Sequence, residues 1–162
     1  MDTFEILSQL CSAAGVSGAE GSAAEAAAKL LEEYGEVTLD NALGSVICKV
    51  GSWEDGKPVM LLDAHIDEIG MIVTYITEDG FLKISGCGGL DTRLLLAQQV
   101  TVYGKEKLTG IVTSTPPHLE KDSSDAPELD SVFIDIGFTS RENAAKYVSL
   151  GDRVLIENKA ER

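Results

Sequence analysis

Basic residues are scarce in this sequence. Lys and Arg together number 13 against 27 Asp and Glu, which leaves a formal net charge of −14. Nucleic acids and anionic membrane surfaces are bound through clusters of basic side chains, so this balance argues against both as partners. The excess of carboxylates instead favours solubility and attracts cations, metal ions among them.

Cysteine is also rare, and long apolar runs do not occur. The three cysteines, Cys11, Cys48 and Cys87, form no CxxC pair, which excludes a zinc knuckle and a thioredoxin-type redox pair. No apolar run approaches the roughly 20 residues of a transmembrane helix. The N-terminus, MDTFEILSQL, lacks the basic start of a signal peptide. We therefore expect a cytoplasmic protein with no membrane partner.

The sequence is organised around residues 58–73, which read PVMLLDAHIDEIGMIV. The short apolar run after Pro58 predicts a fully buried strand over 59–63. Three carboxylates and one of the two histidines lie within six residues at the end of that run. Because α/β enzymes place their chemistry at the carboxyl ends of buried strands, this is the first place to look for a site.

The residues before this stretch have an α/β pattern. The chain of 162 residues is 44% hydrophobic, which suits one domain or one domain plus part of another. Apolar spacing predicts two helices followed by short strands. These are a helix over 3–14 capped by Asp2 or Thr3, a helix over 23–34 opened by a Ser22–Glu25 capping box, and strands over 37–39 and 45–50.

The pattern changes near Gly70, where we place a domain boundary. Many short strands separated by glycine turns follow, which is typical of a small β-barrel. The predicted strands cover 71–76, 81–85, 100–103, 108–112, 131–136 and 153–157. A short helix over 139–148 is predicted to open with a capping box that starts at Thr139.

His65 and Asp67 are the strongest candidates for chemistry. Residues two apart on an extended strand point to the same side, so the pair can act as a metal ligand and the group that orients it. The alternative is structural, with a histidine at a strand end and an aspartate that turns the chain. Glu68 could be a general base or a ligand, or it could accept hydrogen bonds from backbone amides. His118, held behind Pro116 and Pro117, suits a substrate contact or is an ordinary loop histidine.

Several ordered motifs spread over the chain give it a resemblance to a known family. DAHIDEIGMIV, which begins at Asp63, resembles the signature of the M42 family of metallo-aminopeptidases, the glutamyl and tetrahedral aminopeptidase group. Further segments resemble that family's motifs in the same order. They are 14–18 (AGVSG), 40–47 (DNALGSVI), 88–93 (GGLDTR), 115–119 (TPPHL), 132–137 (VFIDIG), 140–142 (SRE) and 150–152 (LGD).

The resemblance implies an α/β catalytic domain on a mixed sheet, interrupted by an inserted β-barrel used for assembly. On that basis residues 1–70 are the first part of the catalytic domain and 71–158 are a barrel for dimerisation. Residues 159–162 would return to the catalytic domain. A homo-oligomer formed through the barrel is the implied partner.

The resemblance also implies a reaction and its cofactors. Two divalent ions, zinc or cobalt, activate a water that attacks the first peptide bond of a peptide substrate, with a glutamate as general base. His65 matches a metal-binding histidine. Asp67 matches the aspartate of the catalytic machinery that orients that histidine.

Departures from the family pattern qualify these expectations. Ser45 replaces the usual Asn, Leu90 the usual Trp, and Ala97 the Gly of a Pro-Gly-Gln segment. Members of the family continue well beyond the position of Arg162, and the remaining ligands and the base glutamate lie in that continuation. Since a hydrolytic zinc needs about three protein ligands, we expect the chain by itself to be inactive.

Two other functions are considered beside the peptidase. A non-catalytic assembly module would use the barrel for dimers and have no turnover. A glycan hydrolase, an activity attached to this family, would need a carboxylate pair and an aromatic sugar platform. The single tryptophan, Trp53, lies in a polar loop, which disfavours that alternative.

Overall fold

The computed structural model describes residues 2–40, 42–115, 127–156 and 160. Within these residues the chain divides into two compact units. The first reaches to Glu68, and the second begins at Ile69 and includes all the strands that follow it. Among the residues described, no helix is long and apolar enough to cross a membrane.

The first unit opens with helix α1, Thr3–Cys11. The Asp2 carboxylate accepts from the Phe4 amide, and the Glu5 carboxylate accepts from the Asp2 amide, each at 3.3 Å. This reciprocal pair is a capping box, and it satisfies amides that the first helical turn leaves without partners. The predicted Asp2 cap is therefore confirmed, although the helix ends before residue 14.

Helix α2, Gly21–Leu31, does not begin as predicted. The Glu20 carbonyl already accepts from the Ala24 amide at 2.9 Å, so Ser22 lies inside the first turn and cannot cap it. The predicted Ser22–Glu25 capping box is wrong for this reason. Alanines supply most of the buried face of the helix, which is formed by Ala23, Ala24, Ala28 and Leu30.

Strands β1, Glu36–Leu39, and β2, Val46–Lys49, follow as an antiparallel hairpin with Val37 opposite Cys48. Both strands lie where the sequence predicts them. Gly35 precedes β1 at a point where the backbones nearly touch. A Cβ there would lie 2.1 Å from the Lys49 carbonyl oxygen, so only glycine fits.

The predicted buried strand over 59–63 is wrong. Residues 58–67 form no strand, and the side chains of Val59, Met60, Leu61 and Leu62 are 62% to 87% exposed. A strand is held by ladder hydrogen bonds to its neighbours. Within the described residues, one isolated parallel bridge lies next to this segment, between Val16 and Glu68. The apolar run has the composition of a central strand, but it lacks partner strands here.

The second unit is a closed barrel of six strands in the order β3-β4-β7-β6-β5-β8, with β8 pairing back onto β3. Every pair in it is antiparallel. The predicted β-barrel is therefore confirmed. Its strands are β3 Gly70–Ile76, β4 Leu82–Cys87, β5 Gln99–Tyr103, β6 Lys107–Ser114, β7 Val132–Asp135 and β8 Arg153–Ile156.

The inward side chains of these strands fill the barrel, as small barrels require. Its core consists of Met71, Val73, Ile76, Leu82, Ile84, Leu95, Val100, Val102, Val112, Val132, Ile134, Ala144, Val148 and Val154. Helix α3, Arg141–Ala144, contributes Ala144 to this core. Its cap is Ser140, whose hydroxyl accepts from the Asn143 amide, so the predicted start at Thr139 is off by one residue.

One barrel residue has an unusual backbone conformation. Ala97 has a φ of 63°, and it is the one non-glycine residue in the described ranges with a positive φ. Its amide donates to the Val112 carbonyl at 2.9 Å, which holds it in this left-handed conformation. This is the position at which the family pattern has glycine, the residue that adopts such a φ without steric cost.

Candidate functional site

The His65 ring is exposed and oriented from one side. Its Nδ1 lies 2.9 Å from Asp67 Oδ1 and 3.2 Å from the Asp67 backbone carbonyl oxygen. Both of these atoms are acceptors, so Nδ1 carries the proton and donates it. In the neutral ring Nε2 then has a free lone pair. The His65 side chain is 85% exposed, so that lone pair is open to a ligand.

The second oxygen of the same carboxylate is also occupied. The Ser17 hydroxyl donates to Asp67 Oδ2 at 2.5 Å. This hydrogen bond first, and the bond from the His65 ring second, hold the pKa of the Asp67 carboxyl below its ordinary value of 3.8. Both bonds favour the ionised carboxylate, which is the form that accepts from two donors at once.

Glu68 is engaged by the backbone of a neighbouring loop. Its carboxylate Oε1 accepts from the Gly15 amide, and its own amide donates to the Gly15 carbonyl, both at 2.8 Å. Of the roles considered for Glu68, the structure confirms acceptance from a backbone amide. This bond occupies one oxygen of the carboxylate and ties Glu68 to residues 15–18.

Residues 15–18, which we call the GVSG loop, form the support of the site. Val16 is 2% exposed, and it makes the parallel bridge to Glu68. The Ala19 amide donates to the Val16 carbonyl at 2.8 Å, and the Gly18 amide donates to the Glu20 carboxylate at 2.6 Å. Ser17 thus projects from a loop with several independent ties to its surroundings.

Ser17 is the site residue that sequence reasoning missed. The loop resembles a family motif, and the motif by itself assigns no role to the serine. A hydroxyl within a glycine-flanked motif was the available signal. The spacing between Ser17 and Asp67 in the sequence, however, gives no indication that they meet.

The implied metal centre is only partly provided by the described residues. His65 fits one ligand position, because Nδ1 donates to a carboxylate and Nε2 is open, an arrangement typical of metal-binding histidines. Among the residues described, no group of three or more His, Cys, Asp and Glu side chains could hold a metal ion. One histidine does not hold a catalytic zinc, which needs about three protein ligands.

The other predicted contacts contribute little to this site. His118, the predicted substrate contact, lies outside the described residues. Trp53, the only tryptophan, is 59% exposed, and the Lys49 ammonium lies 5.5 Å from the centre of its ring. That ring has a cation as its neighbour and is not part of the hydrogen bonds among His65, Asp67 and Ser17.

A histidine that donates one ring nitrogen to a carboxylate and leaves the other open has the arrangement of a metal-binding histidine. The family model described as M42 glutamyl aminopeptidase matches residues 44–162. The chain belongs to this peptidase family, as the ordered motifs indicated.

Two similar proteins illustrate the relationship. Lysyl aminopeptidase from Pyrococcus furiosus is 30% identical over 149 residues, which are 89% of this chain and 42% of that protein. The TET1 peptidase from Pyrococcus horikoshii, whose structure is known, can assemble into a tetrahedron or a large octahedral shell. It is 32% identical with a TM-score of 0.84, over 96% of this chain and 47% of the other. The chain spans less than half the length of the curated relatives it matches.

A third similar protein carries a different name. A solved structure from Thermotoga maritima, called an endoglucanase, is 32% identical with a TM-score of 0.77. The match covers 94% of this chain and 45% of the other. The likeness extends over both described units of the chain, so it adds support for the fold.

Proposed function

We propose that this protein is a metal-dependent aminopeptidase that removes N-terminal residues from peptides, and that the chain supplies one corner of its site. In this proposal His65 is a metal ligand and Asp67 is the residue that positions it. Ligands from outside the described residues complete the site. A bound pair of divalent ions, zinc or cobalt, would activate a water toward the first peptide bond.

The observation that carries the proposal is the hydrogen bond from His65 Nδ1 to Asp67 Oδ1 at 2.9 Å. It fixes the proton on Nδ1 and leaves Nε2 as a ligand directed away from Asp67. The competing role, a histidine at a strand end, lacks its strand, because residues 58–67 form none. Membership of the M42 family supports the same assignment.

The role of the barrel in assembly belongs to this proposal. The barrel encloses its own core, so its outer surface is available for contacts with further copies. The ability of the related TET1 peptidase to form large shells supports a homo-oligomer. Sedimentation or light scattering of the purified chain tests it, and a monomeric mass at high concentration would count against assembly through the barrel.

The catalytic proposal is tested by pairing activity with metal binding. The chain by itself is expected to release no N-terminal residues from aminoacyl-p-nitroanilides, with or without Zn²⁺ or Co²⁺. It is expected to bind Zn²⁺ weakly, and His65→Ala should abolish that binding. Asp63→Asn, at an exposed neighbouring carboxylate, is the matched control and should leave it unchanged.

Metal-dependent turnover by the chain alone would contradict our claim that the site is incomplete. Zn²⁺ binding that survives His65→Ala would contradict the assignment of the ligand. Reading the gene beyond Arg162 and expressing the longer product is the complementary experiment. A longer product without metal-dependent aminopeptidase activity would favour the assembly module instead.

The non-catalytic assembly module is the second candidate. It is favoured by the absence of a three-ligand group among the described residues. A glycan hydrolase is less well supported, because its two carboxylates must face the scissile bond. Here Asp67 is bound by Ser17 and His65, and Glu68 is bound by Gly15. The cytoplasmic location and the lack of nucleic-acid partners stay predictions.

A further inference from the structure

The segment that carries His65 is tied to residues 15–17 through Asp67 and Glu68. Residues 58–67 form no strand, and the side chain of His65 is 85% exposed. These ties are the Gly15–Glu68 pair of hydrogen bonds, the Val16–Glu68 bridge and the Ser17–Asp67 hydrogen bond. Only the last of these reaches the carboxylate that bonds to the imidazole.

The Ser17 hydroxyl restricts rotation of the Asp67 side chain, which the backbone hydrogen bonds of the loop leave unrestricted. An aspartate side chain has three staggered positions about χ1 and a broad range about χ2. Contact with His65 through Oδ1 alone leaves the plane of the Asp67 carboxylate free to turn with the ring. With Oδ2 bonded to Ser17 at 2.5 Å, both oxygens are fixed between two donors.

We propose that Ser17 is a positioning residue of the site. Its hydroxyl fixes the Asp67 carboxylate, which in turn fixes the direction and tautomer of the His65 ring. The inference rests on the proposed function in one respect, since the use of that ring as a ligand is part of it. The chain of contacts itself consists only of residues that the structure describes.

A purely structural role for Ser17, tying the GVSG loop to the segment, is the competing explanation. The loop already has that tie without the hydroxyl. Gly15 exchanges two hydrogen bonds of 2.8 Å with Glu68, and Val16 is buried and bridged to the same residue. Removing the hydroxyl should therefore leave the loop in place and release the Asp67 carboxylate from its second donor.

The test is ¹⁵N NMR of the His65 imidazole in the intact, metal-free chain, above the pH at which the ring is protonated. In the parent chain we expect the Nδ1–H tautomer to predominate. In Ser17→Ala its ratio to the Nε2–H tautomer should fall by about threefold, the effect expected from weakening one hydrogen bond. Ser17→Thr keeps a hydroxyl and should restore the parental ratio.

Two controls separate positioning from structural support. Ser22→Ala removes an exposed hydroxyl from helix α2 and should leave the His65 tautomer ratio unchanged. The exchange rate of the Glu68 amide reports on the loop tie, and it should be the same in Ser17→Ala as in the parent. An unchanged tautomer ratio in Ser17→Ala, or a ratio that changes together with rapid Glu68 exchange, would overturn the proposal.

The same samples distinguish this inference from the proposed function. Titration of the parent chain with Zn²⁺ should shift the His65 Nε2 resonance if that atom is a ligand. A resonance that does not respond would count against the metal assignment. The metal-free tautomer ratio would still decide whether Ser17 positions the ring.

Discussion

Gly15 lies at the tightest point of the GVSG loop, and a single methyl group there should loosen the support of the site. A Cβ at Gly15 would lie 2.8 Å from the Ala23 Cβ and 3.3 Å from the Ile66 carbonyl oxygen. Ala23 is buried in helix α2, and the Ile66 oxygen is backbone, so neither neighbour can turn away. Overpacking of this kind costs about 1–3 kcal/mol.

The net effect is smaller than the overpacking cost. Replacing glycine by alanine also stiffens the unfolded chain, which stabilises the folded state by about 0.4–1 kcal/mol. We therefore expect Gly15→Ala to destabilise the first unit by about 1–2 kcal/mol. Gly21→Ala is the matched control. A Cβ at Gly21 meets nothing within 4 Å, so that variant should be neutral or slightly stabilised.

The assay is urea unfolding followed by the fluorescence of Trp53, the only tryptophan of the chain and part of the first unit. With an m value of about 1–3 kcal/mol per M, the midpoint for Gly15→Ala should fall by about 1 M relative to Gly21→Ala. Exchange of the Glu68 amide should accelerate in the same variant. Equal midpoints for the two variants would refute the packing argument.

Three further substitutions test the barrel. Ala97→Gly should stabilise it by about 1 kcal/mol, since the left-handed conformation costs an L-residue about 1–2 kcal/mol. Thermal unfolding checks this beside the control Ala145→Gly, at an exposed residue of the same unit with a φ of −65°, and equal losses of stability in both variants would contradict it. Leu82→Ala, in the core, should cost about 2–5 kcal/mol by the same measurement, and a loss below 1 kcal/mol would be inconsistent with a packed core. Arg93→Gln should raise the pKa of Asp91, now about 2, toward 3.8, because Arg93 binds its carboxylate. Any stability from the ionised Asp91 carboxyl is present above pH 3.8 and is lost as the pH falls through about 2 in the parent. The variant should lose it at a higher pH. ¹³C NMR titration of Asp91 measures the pKa, and an unchanged value would refute the claim that Arg93 lowers it.

The barrel strands were the most predictable part of the fold. Each is short and contains β-branched residues, and its partners all lie within the same unit. The segment over 59–63 has an equally clear apolar signal, yet it forms no strand in the described chain. Local composition specifies the tendency to form a strand, whereas the ladder depends on partners that a local pattern does not reveal.

The predicted start of helix α2 was wrong for a related reason. Ser22 and Glu25 have the spacing of a capping box, but the Glu20 carbonyl begins the helix earlier by accepting from Ala24. The tertiary position of the preceding loop decides between the two starts. Sequence spacing alone does not predict which residue begins the helix.

The site was predictable where its residues are close in the sequence. His65 and Asp67 are two residues apart, and their hydrogen bond agrees with the expected pairing of a histidine and the group that orients it. Ser17 comes from a distant loop, and its contact with Asp67 depends on how the GVSG loop packs. Their meeting is a property of the folded unit that local patterns do not contain.

The pairing of β3 with β8 has a consequence for how a barrel of this kind can be carried within a longer chain. Met71 lies opposite Val154 on antiparallel strands, so the first strand begins beside the point where the last one ends. Directly opposed residues of such strands have Cα atoms about 4.5–5.5 Å apart. A longer chain that contains the barrel therefore enters and leaves it at neighbouring points, separated by little more than the width of a tight hairpin. Grafting residues 69–156 into an exposed turn of an unrelated protein should consequently cost that protein little loop-closure entropy.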